Sequence, residues 1–336
     1  MTHRFPIKEV AAQAGLGTAT VDRVLNGRAH VSPQTRARVA AAIKELEGQE
    51  QQLAARGRRL FFDVVIEAPD RFSREVRRAS EAVLPSFGPL NLRARFAGQE
   101  VMSGPEIAKV LRRIAQRGSN GICLKARDVP IVRETIDELQ ARGIPVVTLV
   151  TDVPTSERIA YAGLDNSQAG RTAAGIIRRE LSSGRILATM SNRAFEGEDA
   201  RWAAFQAALG EGFDLVLARD AAGLNVDTGY AVASAISGQI DGVYSMSGGN
   251  RAITSTLSHL KQSPKVYVAH DLDSDNVALL EANQISHVLY HDLAADMSQV
   301  FRHLCAFHRA VPPLQGAGPS DIQIVMQSNI PAQFRA

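Results

Sequence analysis

The chain predicts two joined architectures: a small all-α helix-turn-helix head, and a large two-lobed α/β body with doubly wound parallel sheets. Three observations predict this. Near the start, apolar residues recur at the three-to-four spacing of short amphipathic helices. From residue 60 onward, short β-rich runs alternate with helical runs, the pattern that lays helices on both faces of parallel strands. About ten such β-rich runs exceed one comfortable sheet, so two lobes are expected.

The head is read first. Ile7, Val10, Ala11 and Ala14 form one helical face, with Pro6 at its first turn and Gly15 at its end. Thr18 is the expected N-cap of a second helix over 19–25 that buries Val21, Val24 and Leu25, and Asn26-Gly27 stops it. Ser32 followed by Pro33 opens a third helix with Val39, Ile43 and Leu46 inside. The three-residue turn Gly15-Leu16-Gly17 gives the first two helices the spacing of a helix-turn-helix. The outer side of the second helix offers Thr18, Ala19, Asp22 and Arg23, slim enough for a major groove, and an arginine there can donate twice to guanine. A plain three-helix bundle with no nucleic-acid partner is the bland alternative.

Charge is uneven in the same sense. Residues 1–59 hold ten Lys/Arg and five Asp/Glu, a formal +5, whereas the remainder holds 28 and 30, a formal −2. A basic head on a slightly acidic body directs any polyanion to the head.

In the body, LFFDVVIEA, NLRARFA, GICLK, PVVTLV, RIAYAGL, RILATMS, FDLVLA, DGVYSM, KVYVAH and SHVLYH are the expected strands. Helical runs such as EIAKVLRRIAQRG and QAGRTAAGIIRREL lie between them. Ligands of such sheets bind beyond the carboxyl ends of the strands. The residues just past those ends are polar: Asp70 with Phe72, Lys125, Asp152, Ser191, Asn250, Asp271 and His291, with Arg201 joining from a following helix. Carboxylates, Asn and Arg each engage adjacent hydroxyls in pairs, and an aromatic face covers the apolar side of a ring, so a sugar, sugar acid or polyol is the expected ligand, with a purine as the second choice. Some of these residues are equally natural as turn or cap residues, Asp152 among them.

The exclusions narrow the function. No stretch is apolar enough to span a membrane, and charges interrupt the N-terminus where a secretory leader needs an apolar segment, so a cytoplasmic protein is expected. Cys123 and Cys305 have no metal spacing and read as reduced core thiols. No G-x-S-x-G or H-E-x-x-H occurs, and AGLGTAT lacks the Gly-Lys-Ser/Thr ending of a phosphate loop. Neither an enzyme, a metal nor a cofactor is expected. A carbohydrate-binding protein serving a transporter is the alternative to a regulator.

The run IKEVAAQAGLGTATVDRVLNGRAHVSPQTRARVAAAIKEL resembles the headpiece of the LacI (lactose repressor) family almost end to end. The resemblance implies a DNA-binding transcription regulator, acting as a homodimer on operator DNA under control of a small effector. It implies that Thr18, Ala19 and Arg23 read bases, that Thr20, Asn26, Ser32 and Thr35 hold phosphates, and that His30 contacts DNA. Asp22 departs from the Ser common in the family. It is expected to accept from a cytosine amine or pair with Arg23. The hinge stretch of the family, with its Pro-Asn, is replaced here by EGQEQQLAARGRRL, in which Leu53 is a candidate minor-groove wedge. From about residue 60 to 327 the body is similar to the type I periplasmic-binding-protein fold, through YAGLDNSQAGRTAA, EGEDARWAAF and VAHDLDSD. That similarity singles out Arg201 and Asp271 as ligand contacts, and sets Gly248-Gly249 and His291-Asp292 where relatives carry Asn-Asp and Gln-Asp. The expected organisation is a headpiece over 1–48, a hinge or linker over 49–59, and an effector domain over 60–336. Its first lobe is drawn from about 60–162 and 291–321, its second from about 163–290 and 322–336.

Overall fold

The computed structural model describes residues 4–28, 31–55, 59–88, 90–191, 194–220, 225–316 and 318–335. The head is three helices, α1 (Ile7–Ala14), α2 (Thr18–Leu25) and α3 (Pro33–Ala55). Val10, Ala11, Val21, Val39 and Leu46 meet in its core. Gly15 takes the left-handed conformation (φ 59°) that ends α1, and Arg38 donates to the Ala14 carbonyl at 2.8 Å, placing a cation at the negative end of that helix. Ser32 caps α3 as expected, its hydroxyl accepting from the Thr35 amide at 3.1 Å. The second helix differs by one residue: Gly17, in extended conformation, is the N-cap, Thr18 is the first helical residue, and no side chain caps the helix. The third helix runs without interruption through 49–55 to Ala55, because KELEGQEQQLAA holds strong helix formers and only Gly48 as a weak point.

The body begins with β1 (Arg59–Glu67), α4 (Asp70–Val83), β2 (Asn91–Gln99), α5 (Gly104–Arg117), β3 (Gly121–Lys125), α6 (Pro130–Ala141), β4 (Val146–Leu149) and β5 (Ala160–Ala162). These strands form one parallel sheet in the order β2-β1-β3-β4-β5. The chain continues through α7 (Asn166–Glu180), β6 (Gly184–Ser191), α8 (Glu196–Leu209), β7 (Phe213–Asp220), α9 (Asn225–Ala235), β8 (Gly242–Ser245), α10 (Asn250–His259), β9 (Val266–His270), α11 (Ser274–Glu281), β10 (His287–Tyr290), α12 (Leu293–Phe307) and β11 (Gln323–Val325). The second sheet has the order β11-β10-β9-β8-β6-β7, parallel except for β11 against β10. Each sheet thus repeats one rule: the second strand lies outside the first, and the third begins the run on the other side. All ten β-rich runs of the sequence become strands. The eleventh, β11, is three residues long and exposed at two of them, so it leaves no apolar pattern to read.

Three crossings join the lobes. The first follows β5. The second follows β10 and carries α12 onto the first lobe, where Phe301 stacks on Phe62 with ring centroids 6.0 Å apart. The third leads into β11 and runs beside the first, with Leu164 bridging Ser320 and the Ser320 amide donating to the Gly163 carbonyl at 2.8 Å. A buried polar line ties them together: His291 on the second crossing meets Asp296 of α12 at 2.5 Å, and Ser320 of the third donates to the other oxygen of Asp296. Cys123 and Cys305 are both buried and free, and Trp202 leans on Phe205 in the second lobe.

Candidate functional site

In each sheet the chain reverses its direction of travel across the strands beside the first strand, next to β1 and next to β6, and the crevice at such a reversal is where this architecture takes ligands. The strand ends of the two lobes face each other there across a narrow cleft with a cavity of about 60 Å³. The first lobe contributes Arg71, Phe72 and Lys125. The second contributes Phe195, Glu198, Arg201, Ser247, His270, Asp271, Asp273 and Asn276.

Among the contacts between the lobes, the Asp128 amide donates to the Ala194 carbonyl at 3.1 Å and the Gly197 amide to the Thr151 hydroxyl at 3.1 Å, and two side chains reach across the cleft. Arg71, on α4, pairs with Asp273, beyond β9, at 2.9 Å. Its guanidinium lies against Gly248, where a Cβ would come within 2.8 Å of Nη2 and where φ is +109°, so a glycine is required. The Lys125 ammonium sits 4.2 Å from the centre of the Phe195 ring, on the opposite lobe, and 5.8 Å from that of Phe72. It donates to the Glu67 carbonyl at 3.1 Å, and burial lowers its pKa. Glu67 is in turn held by Arg127, which fixes the end of β1.

On the second lobe, Arg201 is buried and donates from Nε to Asn166 at 2.8 Å and from Nη1 to the Met246 carbonyl at 2.7 Å. Glu198, three residues earlier on the same face of α8, accepts from the Ser191 amide at 2.7 Å, and burial raises its pKa. His270 shares a 2.9 Å hydrogen bond between Nε2 and the Tyr244 hydroxyl; burial, with help from the Arg201 charge, keeps it neutral. Asp271 adopts a left-handed backbone (φ 65°), uncommon for a residue with a side chain, and lines the cleft. His291 lies behind it, with Nε2 at 3.8 Å from the Asp271 carboxylate. Burial alone would lower the pKa of His291, but the hydrogen bond and charge of Asp296, with the charge of Asp271, outweigh it and raise the value. Four buried polar atoms at or beside the cleft have no hydrogen-bond partner among the described residues: Ser191 Oγ, Ser247 Oγ, His270 Nδ1 and His291 Nε2.

Of the expected ligand residues, Phe72, Lys125, Arg201 and Asp271 line this cavity, and His291 and Ser191 stand directly behind Asp271 and Glu198. The structure does not bring the other three to it. Asp70 is exposed on the outer side of α4, about 200° round the helix from Phe72. Asp152 is paired with Arg158 and accepts from Thr148 at 2.6 Å, bracing the loop after β4. Asn250 is locked between Asn276 at 2.8 Å and Tyr267 at 2.9 Å inside the second lobe. Arg71, Glu198, Ser247, His270, Asp273 and Asn276 were not singled out from the sequence. Glu198 was readable from its i, i+3 relation to Arg201; Arg71 and Asp273 meet only through the approach of the lobes.

On the head, the helical period sets Thr18, Ala19, Asp22, Arg23 and Asn26 on one arc of about 140°, opposite the buried Val21. Thr18, Ala19, Arg23 and Asn26 are exposed, and Thr20 and Asp22 half-buried. Asp22 does not pair with Arg23. It accepts from Asn26 at 2.8 Å and pairs with Arg28 at 3.4 Å, and Arg23 makes no ion pair among the described residues. Ser32 and Thr35 share a 2.8 Å hydroxyl bond. Leu53 falls on the last turn of α3 with its side chain outside the described residues, as His30 is altogether. No group of three or more metal-ligating side chains occurs among the described residues, and no helix among them is long and apolar enough to cross a membrane.

Two α/β lobes closing on a polar cleft, preceded by a helix-turn-helix, define a bilobed binding protein with a nucleic-acid-type head. The family profile for the periplasmic binding protein domain matches residues 97–301, and the chain belongs to that family; that for bacterial regulatory proteins of the lacI family matches residues 6–47, so the head is a LacI-family helix-turn-helix. The HTH-type transcriptional regulator TreR of Salmonella typhimurium is 32% identical over 133 residues, 37% of this chain and 39% of TreR. The HTH-type transcriptional regulator CelR of Thermobifida fusca is 31% identical over 185 residues, 51% of each chain. The chain thus spans about half or less of the length of these curated relatives. Among solved structures, the glucose-galactose binding protein GanP of Geobacillus stearothermophilus superposes with a TM-score of 0.70 at 18% identity, over 82% of this chain and 99% of GanP. A solute binding protein from Burkholderia graminis in complex with D-arabinose gives 0.71 at 16%, over 83% and 98%. These structural likenesses establish the fold.

Proposed function

We propose that the protein is a cytoplasmic, sequence-specific transcription regulator, a repressor by preference, whose operator affinity is set by a sugar or sugar derivative held between its lobes. The observation that carries the reading is the union, in one chain, of a lacI-family head with an interlobe cleft lined by Phe72, Lys125, Glu198, Arg201 and Asp271. Thr18, Ala19 and Arg23 face base edges in this reading. Thr20, Asn26, Ser32, Thr35 and His30 lie toward phosphates, and Leu53 toward the minor groove. Asp22 holds Asn26 and Arg28 in place, which leaves Arg23 to the DNA. Arg201, Asp271, Lys125 and Phe72 hold the ligand, with Arg71, Asp273, Glu198 and His270 beside them. Two copies present two heads to a near-palindromic site. Lobe closure alters their spacing, so ligand and DNA affinities couple reciprocally, typically by about 1–3 kcal/mol.

The test is a salt titration of DNA binding to fragments from upstream of the protein's own gene, with and without a panel of sugars and polyols. Specific, salt-sensitive binding that a sugar shifts is the expected result, and Arg23→Ala should weaken it by about 1–3 kcal/mol. Arg23→Ala binding as tightly as the parent refutes the assignment of α2. Equal affinity for every fragment, unmoved by any sugar, refutes the regulator.

A further inference from the structure

The outer arc of α2 carries a carboxylate. Asp22 shares that arc with Thr18, Ala19, Arg23 and Asn26, and an isolated negative charge there repels phosphates. The charge of Asp22 is not isolated. Its Oδ1 accepts from Asn26 Nδ2 at 2.8 Å, and its Oδ2 pairs with Arg28 Nη1 at 3.4 Å. Arg28 lies beyond the end of α2 and is brought back to it by the backbone. Gly27 takes the left-handed conformation (φ 62°), and the Arg28 amide donates to the Arg23 carbonyl at 2.9 Å, which closes the helix end. Arg28 is therefore fixed to α2 twice, through its amide and through its guanidinium, while its side chain stays 63% exposed.

We propose that Arg28 is a phosphate-contacting residue of the DNA-binding face, and that Asp22 is its positioning residue instead of a reader of bases. This rests on the reading of α2 as the helix that enters the major groove. Both oxygens of Asp22 are occupied by residues of the head itself. The guanidinium is not used up in the same way. Only one of its nitrogens meets Asp22, at a distance too long for a strong hydrogen bond, so donors remain for an anion. An exposed ion pair of this kind adds little to stability, so its consequence is orientation: Asp22 confines Arg28 to the side of α2 that carries Asn26. A recognition helix meets base edges with its N-terminal residues, and a cation just past its C-terminal end meets the backbone of the duplex. The competing reading makes Arg28 only a cation at the negative end of α2, which supports the helix and leaves DNA affinity unmoved.

The experiment is fluorescence anisotropy of the full chain on duplexes from upstream of its own gene, across a salt series. Arg28→Ala should weaken binding about tenfold and flatten the slope of log affinity against log salt by about one, and Arg28→Lys, which keeps the charge, should restore the slope. Asp22→Ala should weaken binding about threefold in the parent, where it frees Arg28, yet strengthen it in the Arg28→Ala background, where relief of repulsion is all that remains. Asp22→Asn, close in shape, should show the same reversal and serves should Asp22→Ala disturb α2. An unchanged salt slope in Arg28→Ala overturns the proposal. So does an Asp22→Ala effect of the same sign and size in both backgrounds, or one that re-ranks single-base variants of the duplex, as a base reader would. In each of these cases the regulator reading stands. Absence of salt-sensitive binding by the parent to any upstream duplex overturns both.

Discussion

Arg71→Ala should unlatch the cleft. The pair it forms with Asp273 is 2.9 Å long, with side chains 17% and 11% exposed. At an effective dielectric near 20, that separation corresponds to about 6 kcal/mol of attraction before desolvation. Burial opposes it, and the same burial raises the pKa of Asp273, so the net value lies near that of a charge-assisted hydrogen bond, about 1.5–2 kcal/mol. The partners sit on opposite lobes, so this energy belongs to the closed form alone. Its loss should appear as about ten- to thirtyfold weaker ligand binding, with little change in overall stability. Calorimetry on the parent, Arg71→Ala, Asp273→Asn and the double variant gives the coupling energy, and small-angle scattering reports the closure. Arg71→Ala binding within twofold of the parent, or a coupling below about 0.3 kcal/mol, would show that the lobes close without the pair.

Other outcomes follow from the same geometry. Arg201→Ala orphans two buried acceptors, Asn166 Oδ1 and the Met246 carbonyl, and should lower stability in denaturant by about 2–5 kcal/mol besides abolishing ligand binding; a loss under 1 kcal/mol contradicts the role of its bonds. Gly170, on α7, packs so closely on the Arg201 carbonyl of α8 that Gly170→Ala must push the helices apart, at about 1–3 kcal/mol by chemical denaturation. For His291 the folded pKa is raised above its ordinary 6.5, so the stability gained from its charged form is complete below that value and is lost as pH rises through the folded value. The stability difference between the parent and His291→Gln should therefore be largest in mild acid and shrink as pH climbs past 6.5, and a difference constant across that window speaks against the charged pair with Asp296.

Much of the architecture was legible because each strand is a short apolar run between polar punctuation, and buried parallel strands leave that mark. The cleft was legible only in part. Residues just past strand ends are polar for several reasons, and sequence cannot separate Asp271, which lines the cavity, from Asp152, which braces its own loop through Arg158. Helix phase decides Asp70 against Arg71 and Phe72, and the apolar positions Phe72, Val76 and Ala79 already point Asp70 outward. Asn250, at the start of α10, was drawn inward by Tyr267 of β9, a partner that local pattern does not announce. The latch from Arg71 to Asp273 exists only where the two lobes meet. In the head, the choice of Arg28 over Arg23 as the partner of Asp22 depends on the backbone turning back at Gly27, with φ 62°.

The polar line from His291 through Asp296 to Ser320 and the Gly163 carbonyl touches all three segments that join the lobes. Three separate ribbons would flex independently and let the lobes shear, twist or yaw. Tied together by these bonds, they resist such independent motion. In the proposed regulator, a ligand that altered this line would act on all three segments at once.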